Sequence, residues 1–125
     1  MQAVAKELGG KDNDILFTPH LLPVARGILA TITVPVNEFN DDPTVLWRDF
    51  YRGEPFIEIA DQPPSLRDVV RRNVVRLSVT KAANVRQPTL IIISAIDNLM
   101  KGAAGQALQN ANLLLGLNEQ AGLPL

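Results

Sequence analysis

The 125-residue sequence contains no cysteine, which excludes disulfide bonds, thiolate metal ligands and a cysteine nucleophile from the chain. The same absence leaves the redox compartment undetermined. Aromatic residues make up 5% of the chain and the formal net charge is -1. The overall composition therefore favours binding neither to nucleic acid nor to an anionic membrane surface.

Long apolar runs are also missing. No stretch approaches the length of a transmembrane helix, and there is no secretory signal segment, so we expect a cytoplasmic protein without a membrane or nucleic-acid partner. The residues that are present, 46% hydrophobic and 20% charged, are typical of an ordinary globular chain. Because no linker or low-complexity tract divides the chain, residues 1–125 are interpreted as a single domain.

The segment 89–117 organises the rest of the chain. It opens with a β-branched apolar run, Leu90–Ile93, of the kind that forms a buried strand. Asp97 and Asn98 follow, and their side-chain oxygens can cap a helix. Residues at helical spacing come next and are expected to fill a packed seam: Leu99, Ala103, Ala107 and Ala111. The pattern predicts a strand that leads directly into a helix.

The first turns of this helix contain a candidate anion site. Lys101 places a cation beside the bare backbone of Gly102 and Gly105, at the positive end of the helix. A Gly-x-x-Gly pair at a helix start is also a common device for close packing. A phosphate site and a packing contact are therefore both compatible with the glycines alone.

Periodicity and chain breakers indicate the remaining elements. Strands are predicted at Ile15–Phe17, Arg26–Val34, Pro55–Ala60 and Asn73–Lys81, and the last of these is expected to pair antiparallel with the strand that begins at Leu90. Helices are predicted over Gln2–Leu8, from Pro43 to about Gly53 with Asp42 as the N-cap, and as a short turn after Ser65. Because hairpin-like links replace a regular βαβ alternation, we predict an α+β fold with a mixed, largely antiparallel sheet and helices packed on one face.

A group of basic residues crowds one part of the sequence: Arg67, Arg71, Arg72, Arg76 and Lys81. One interpretation is a patch that binds nucleic acid or another anion. The region has no interleaved aromatic residues to stack on bases, and Arg76 alternates with apolar neighbours as a solvent-facing strand residue does. The favoured interpretation is a solvated face.

Two longer strings resemble one enzyme family. Ser94–Asn110, with the sequence SAIDNLMKGAAGQALQN, is similar to the signature near the C-terminus of N-acetyl-gamma-glutamyl-phosphate reductases. Phe17–Thr31, with the sequence FTPHLLPVARGILAT, resembles their middle segment, and Glu54–Ile57 lies between the two in the family order. The chain departs from the family at Arg71-Arg72-Asn73, where a triplet such as Gly-Ser-Asn is expected.

The resemblance implies both a fold and a reaction. The fold is the α/β domain that follows a dinucleotide-binding domain in semialdehyde dehydrogenase-type reductases and carries their subunit interface; this chain would be an incomplete copy of it. The reaction is NADPH-dependent reduction of an acyl phosphate to a semialdehyde through a cysteine thioester. Since the chain has neither a cysteine nor a G-x-G-x-x-G motif, we expect it to supply no catalytic residue and to be inactive alone.

Binding residues are likewise implied by the resemblance. Four residues are expected to face the place where NADP and substrate meet in the complete enzyme: Asn98, Lys101, Gly102 and Gly105. The residue types themselves add two candidates: His20 is expected to contact the substrate or shape its site, and Arg26 is expected either to clamp a carboxylate or phosphate of the substrate or to pair with an acidic residue of the chain. No metal site is expected, and the chain alone is not expected to bind NADP.

Three functional hypotheses follow from these observations. In the first, the chain is the C-terminal part of the reductase, either a fragment or a separately encoded half, and it forms a homo-oligomer that is catalytic only together with the nucleotide-binding half. In the second, it is a stand-alone oligomerisation or interaction module derived from that domain. In the third, it is a small binder of anions or nucleic acid that uses the arginine-rich segment. The resemblance leaves open whether the substrate is a glutamyl or an aminoadipyl phosphate.

Overall fold

The computed structural model describes residues 16–37 and 40–125. Its strands are β1 (Ile28–Pro35), β2 (Ile57–Ile59), β3 (Val75–Lys81) and β4 (Thr89–Ile96). Its α-helices are α1 (Pro43–Phe50) and α2 (Gly105–Leu114), with a 3-10 helix at Leu66–Asp68 and a π-helical turn at Met100–Ala104. The helix predicted at Gln2–Leu8 lies outside the described residues.

The strand predicted at Ile15–Phe17 is wrong for the part of it that is described. Leu16 and Phe17 are exposed and lie in an irregular segment that leads to β1. Pro19 and Pro23 interrupt this segment, and a proline has no N–H group to donate to a neighbouring strand. A short apolar run is therefore not enough to form a strand here.

The strands form one open sheet in the order β1-β4-β3-β2. β4 is antiparallel to both β1 and β3, whereas β2 runs parallel to β3. Residues 82–88 connect β3 to β4, which form the antiparallel pair predicted from the sequence. The mixed, largely antiparallel sheet with its helices confirms the α+β class.

One face of the sheet is apolar and incompletely covered at its β1 edge. Ile92 in the middle of β4 lies between Ile32 of β1 and Val79 of β3, so these three side chains share a face. Val79 and Ile92 are buried, but Ile32 is 45% exposed. Ile28 and Val34 of β1 point the same way and are also exposed. We call the surface formed by Ile28, Ile32 and Val34 the Ile32 face.

The hydrophobic core lies on the opposite face of the sheet, where Ala95 points. It consists of side chains that are almost completely inaccessible: Phe56, Val69, Val74 and Ala95. Leu123, near the C-terminus, packs against this cluster. Complete burial of a side chain of the size of Val or Phe stabilises a fold by roughly 1.5–3 kcal/mol. The core cluster on this face thus consists of four buried side chains and the adjacent Leu123.

Helix α1 begins as the sequence predicts. Asp42 accepts a hydrogen bond from the N–H of Thr44 at 2.8 Å, and Pro43 occupies the first helical position. The hydroxyl of Thr44 donates to the carbonyl of Val79 at 3.1 Å and attaches the helix to β3. No helix within residues 16–37 and 40–125 is long and apolar enough to cross a membrane.

The C-terminal segment after α2 folds back onto the domain. The side-chain amide of Asn112, which is buried, donates to the carbonyls of Glu119 and Ala121 at 3.1 and 3.0 Å. The N–H of Asn73 donates to the carbonyl of Pro124 at 2.8 Å. These bonds hold the tail against the helix and the core.

The members of the basic group differ in their burial and contacts. Arg72 and Arg76 both form ion pairs with Glu58 and are half-buried, so the solvated face predicted for the basic group holds only in part. Glu58 lies on β2, opposite Arg76 in the parallel register, where a cross-strand ion pair is favourable. Arg67 and Arg71 are exposed.

Candidate functional site

The carboxylate of Asp97 lies just beyond β4 and is completely buried. The guanidinium of Arg26 approaches to 2.8 Å from Oδ1 and 2.7 Å from Oδ2. The N–H of Arg71 donates to Oδ2 at 2.6 Å. The N–H groups of Leu99 and Met100 donate to Oδ1 at 2.9 and 3.0 Å, which confirms the predicted capping role of Asp97. We call this cluster the Asp97 hub.

The pKa of Asp97 lies well below its ordinary value of 3.8. Burial alone would raise this pKa, but the hydrogen bonds from Arg26 and from the backbone of Arg71, Met100 and Leu99 stabilise the anion more strongly. Asp97 is therefore an anion at neutral pH. Its chemistry suits a fixed anchor and not a group that exchanges protons with a substrate.

Asn98 fixes the segment that delivers Arg26 to the hub. Its Oδ1 accepts a hydrogen bond from the N–H of Gly27 at 2.6 Å. Gly27 has a φ of 114°, and a Cβ at this position would come within 2.7 Å of Leu66 Cδ2. Glycine is needed here both for the backbone conformation and for the close approach to Leu66.

Lys101 is a half-buried cation held by an amide. Its Nζ donates to Gln109 Oε1 at 2.6 Å and lies 5.2 Å from the centroid of the Phe56 ring. Gln109 Nε2 in turn donates to Glu119 Oε1 at 2.7 Å. Partial burial lowers the pKa of Lys101, and the negative charge of Glu119 acts in the opposite direction. The hydrogen bond to Gln109 thus fixes the position of the Lys101 ammonium group.

The two glycines of the predicted anion site have different surroundings. A Cβ at Gly105 would lie 2.1 Å from Asn73 Oδ1, so close packing alone requires glycine there. A Cβ at Gly102 would meet no atom nearer than Ile96 Cδ1 at 3.4 Å, and Gly102 is exposed. Packing therefore explains Gly105, whereas nothing in the packing of the described chain requires glycine at 102.

Asn73 lies between Gly105 and the C-terminal segment that follows α2. It is completely buried, and its Nδ2 donates to Gln109 Oε1 at 3.3 Å. Its Oδ1 has no hydrogen-bond partner and faces the Cα of Gly105, a position in which only a weak C–H···O contact is available. Any side chain at residue 105 would push this buried amide aside.

The backbone between β4 and α2 forms a π-helical turn. The N–H groups of Gly102 and Ala104 donate at 3.0 Å to the carbonyls of Asp97 and Leu99, each five residues earlier. Such turns are rare and occur frequently at functional sites. The turn widens the helix at the point where Gly102 exposes its backbone beside Lys101.

The structure brings together some of the predicted site residues. Arg26 and Asn98 meet at the Asp97 hub, and Lys101 follows within the next turn. His20 lies in the exposed segment before β1 and forms no hydrogen bond with another described residue. Among residues 16–37 and 40–125, no three histidine or carboxylate side chains are close enough together to hold a metal ion.

The packed seam predicted along the helix does not form within the chain. Leu99, Ala103 and Ala107 are exposed. Helix α2 instead packs through Gly105 and Asn112, its two buried residues, because the π-helical turn changes the face that it presents. This shift of face could not be read from a regular helical period.

Sequence reasoning missed the polar residues that position Lys101. Gln109, Glu119 and Asn73 lie far from Lys101 in sequence or on a different element. One signal was available: Gln109 lies eight residues after Lys101, about two helical turns, and therefore on the same side of a helix. The contacts of Asn73 and Glu119 depend on the fold of the tail.

Comparisons with known proteins show which family the chain belongs to. The family model described as the semialdehyde dehydrogenase dimerisation domain matches residues 1–98. An N-acetyl-gamma-glutamyl-phosphate reductase of Neisseria gonorrhoeae is 43% identical over 124 residues, which are 98% of this chain and 35% of that protein. A reductase of the same name from Desulforudis audaxviator is 47% identical over 120 residues, 93% of this chain and 34% of that protein.

A third relative of the same name, from Leptospira borgpetersenii, is 47% identical over 113 residues, covering 88% of this chain and 32% of that protein. The chain thus spans about a third of the length of the curated relatives that it matches.

Substitution of the two glycines by alanine should have opposite consequences for stability. Gly105→Ala places a Cβ against the buried Asn73 amide and is expected to lower the free energy of unfolding by about 1–3 kcal/mol, the usual effect of overpacking. Gly102→Ala, the matched control, has room for its methyl group and should change stability by less than about 1 kcal/mol, in the stabilising direction, because alanine favours a helix. Urea denaturation measures both; equal losses would contradict the packing assignment.

Asp97→Asn is expected to lower the free energy of unfolding by about 3–5 kcal/mol at neutral pH, because the half-buried guanidinium of Arg26 and the N–H groups around residue 97 lose their anion. The folded-state pKa of Asp97 is depressed, so its contribution is complete above the unfolded value near 3.8 and is lost as the pH falls below it. The stability difference between wild type and variant should therefore be constant from about pH 5 to 8 and shrink below about pH 4. A difference independent of pH down to about pH 2 would show that the charge is unimportant.

Proposed function

Since the chain belongs to the semialdehyde dehydrogenase dimerisation domain family, we propose that it is the C-terminal part of an NADP-dependent N-acetyl-gamma-glutamyl-phosphate reductase. The observation that carries this proposal is the 41–47% identity to reductases of that name along nearly the whole chain. In this function the chain reduces no substrate alone and acts with a nucleotide-binding half. We infer a cytoplasmic location, as expected from the sequence.

The proposed reaction replaces the phosphate of an acyl phosphate with hydride. A cysteine thiolate, which this chain lacks, would attack the acyl carbon and release phosphate, and NADPH when bound supplies the hydride that reduces the thioester to a semialdehyde. The residues of this chain then have binding and positioning tasks. They hold anionic groups and keep the strand end and helix in place.

We assign different parts to the four residues of the cofactor site. Lys101 supplies a cation, and Gly102 allows a ligand to approach the backbone because no side chain occupies the open space there. Asn98 acts through its bond to Gly27, and Gly105 supports the turn from the side of Asn73. A half-buried ammonium beside exposed backbone fits the phosphate groups of NADP.

The two proposed substrate residues, Arg26 and His20, also have different roles. Arg26 has its guanidinium fixed by Asp97, while its side chain remains 25% exposed, so it can still meet an anionic substrate group. Its orientation would be set before the substrate arrives, which lowers the entropic cost of binding. His20 is accessible in the segment before β1, and we assign it to the wall of the substrate site.

The chain is also proposed to form a homo-oligomer through the Ile32 face. This surface continues the apolar face of the sheet to an edge strand, and exposed apolar sheet surfaces of this kind mark association sites. The same observation favours the second candidate function, a stand-alone oligomerisation module. The two differ in whether the chain restores catalysis to a nucleotide-binding half.

A chimera tests the reductase function. The matching segment of the Neisseria gonorrhoeae relative is replaced by this chain, so that the remaining part of the relative supplies the nucleotide-binding half. We expect NADPH-dependent turnover of the acyl phosphate by the chimera and none by the 125-residue chain alone. A chimera that folds and associates but has no turnover would instead support the oligomerisation module.

In the same chimera, Lys101→Met should weaken NADPH binding by about 10–100-fold, which corresponds to the loss of a charge-assisted hydrogen bond. Lys101→Arg, which keeps the charge, should recover part of the affinity. The readout is the KM for NADPH with the melting temperature as a check on folding. An unchanged KM in a folded Lys101→Met variant would contradict the cofactor assignment.

Association is tested by two substitutions in one strand. Ile32→Asp puts a charge on the Ile32 face and should shift the chain towards the monomer by at least tenfold in dissociation constant, about 1.4 kcal/mol or more. Thr31→Asp is the control, because the neighbouring residue is also exposed but points to the opposite face. Sedimentation equilibrium gives the result; identical effects of the two variants would contradict this interface.

A further inference from the structure

An open groove lies between the segment before β1 and the 3-10 helix. The groove is wide open to solvent and has a volume of about 480 Å³. Its lining consists of three apolar and three basic residues: Val24, Leu66, Val70, Arg26, Arg67 and Arg71. Gly27 lies against this wall, since a Cβ at residue 27 would come within 2.7 Å of Leu66 Cδ2.

The positive charge of this groove is only partly neutralised. Arg26 is paired with Asp97. Arg67 and Arg71 are exposed and form no ion pair with an acidic residue in the described ranges 16–37 and 40–125. The acidic neighbours are engaged elsewhere: Glu58 pairs with Arg72 and Arg76, and Asp68 accepts from Ser65. Two guanidinium groups therefore remain available at the groove.

The backbone of Arg71 holds its side chain at the groove in a strained conformation. Its φ is 67°, in the left-handed region that favours glycine, and its N–H is fixed by the Asp97 carboxylate. The reductase pattern expects small residues at this position. A long charged side chain at a site where glycine would relieve strain is a feature that packing does not explain.

We propose that this groove binds a small anionic molecule with an apolar body. Its carboxylate or phosphate is held by the guanidinium forks of Arg67 and Arg71, and its apolar part lies on Val24, Leu66 and Val70. None of the described residues that line the groove is aromatic, so they offer no platform for stacked bases. The groove shares Arg26 with the proposed substrate residues, but the proposal goes beyond them, since Arg67 and Arg71 belong to neither the proposed cofactor nor the proposed substrate residues.

The test uses the 125-residue chain and four probes in isothermal titration. Hexyl phosphate and hexanoate carry the two anionic groups on the same apolar chain, and their relative affinities distinguish a phosphate ligand from a carboxylate ligand. Inorganic phosphate lacks the apolar body, and hexanol lacks the charge. We expect at least one of the two amphiphilic anions to bind, with inorganic phosphate and hexanol each about threefold to tenfold weaker or more.

Substitutions locate the site. Arg67→Gln and Arg71→Gly should each weaken the better probe by about threefold to tenfold. Arg71→Gly also relieves the positive φ, so the variant should melt no lower than wild type. Arg86→Gln, in the β3–β4 connection at the opposite end of the sheet, is the control with the same loss of charge. Equal losses in all three variants, or equal binding of inorganic phosphate and hexyl phosphate, would overturn the proposal.

Because this experiment needs no nucleotide-binding half, its outcome is separate from that of the chimera. Binding of the probes together with an inactive chimera would support the groove and contradict the reductase function. An active chimera without probe binding would support the reductase function and contradict the groove.

Discussion

The buried charge of Asp97 is the constraint on which the rest of the site depends. A carboxylate removed from water destabilises a fold unless donors replace its hydration. Here Arg26, Arg71, Leu99 and Met100 all point donors at it, and they come from three separate parts of the chain. The charge is therefore compensated only when the segment before β1, the turn before β3 and the start of the π-helical turn are all in contact with Asp97.

Several local features follow from this convergence. The bond from the Arg71 N–H holds that residue at a positive φ and directs its side chain outwards to the groove. Asn98, next to Asp97, ties down Gly27, whose backbone touches Leu66 on the groove wall. The proposed cofactor site and the groove are thus adjacent surfaces of one hydrogen-bonded cluster. A substitution in the Asp97 hub should therefore alter ligand binding at both surfaces.

Local sequence patterns predicted the features that involve residues close together in the sequence. The Asp42 cap, the β3–β4 antiparallel pair and the capping bonds of Asp97 involve short sequence separations, and all three are confirmed. The pairing of Arg26 with Asp97 joins residues 71 positions apart, and no periodicity reveals it. The reason for glycine at 105 lies in Asn73, on another element. Long-range polar contacts were therefore the part that the sequence left undetermined.

The most direct test of the hub is the carboxyl ¹³C shift of Asp97, followed by NMR from about pH 7 to about pH 2 together with selected amide resonances. The account predicts that Asp97 does not titrate near its ordinary value of 3.8, and that the amides of Arg71, Leu99 and Met100 shift together with it only at lower pH. A carboxyl that titrates near 3.8 while these three amides stay unchanged would contradict the central role of the buried charge.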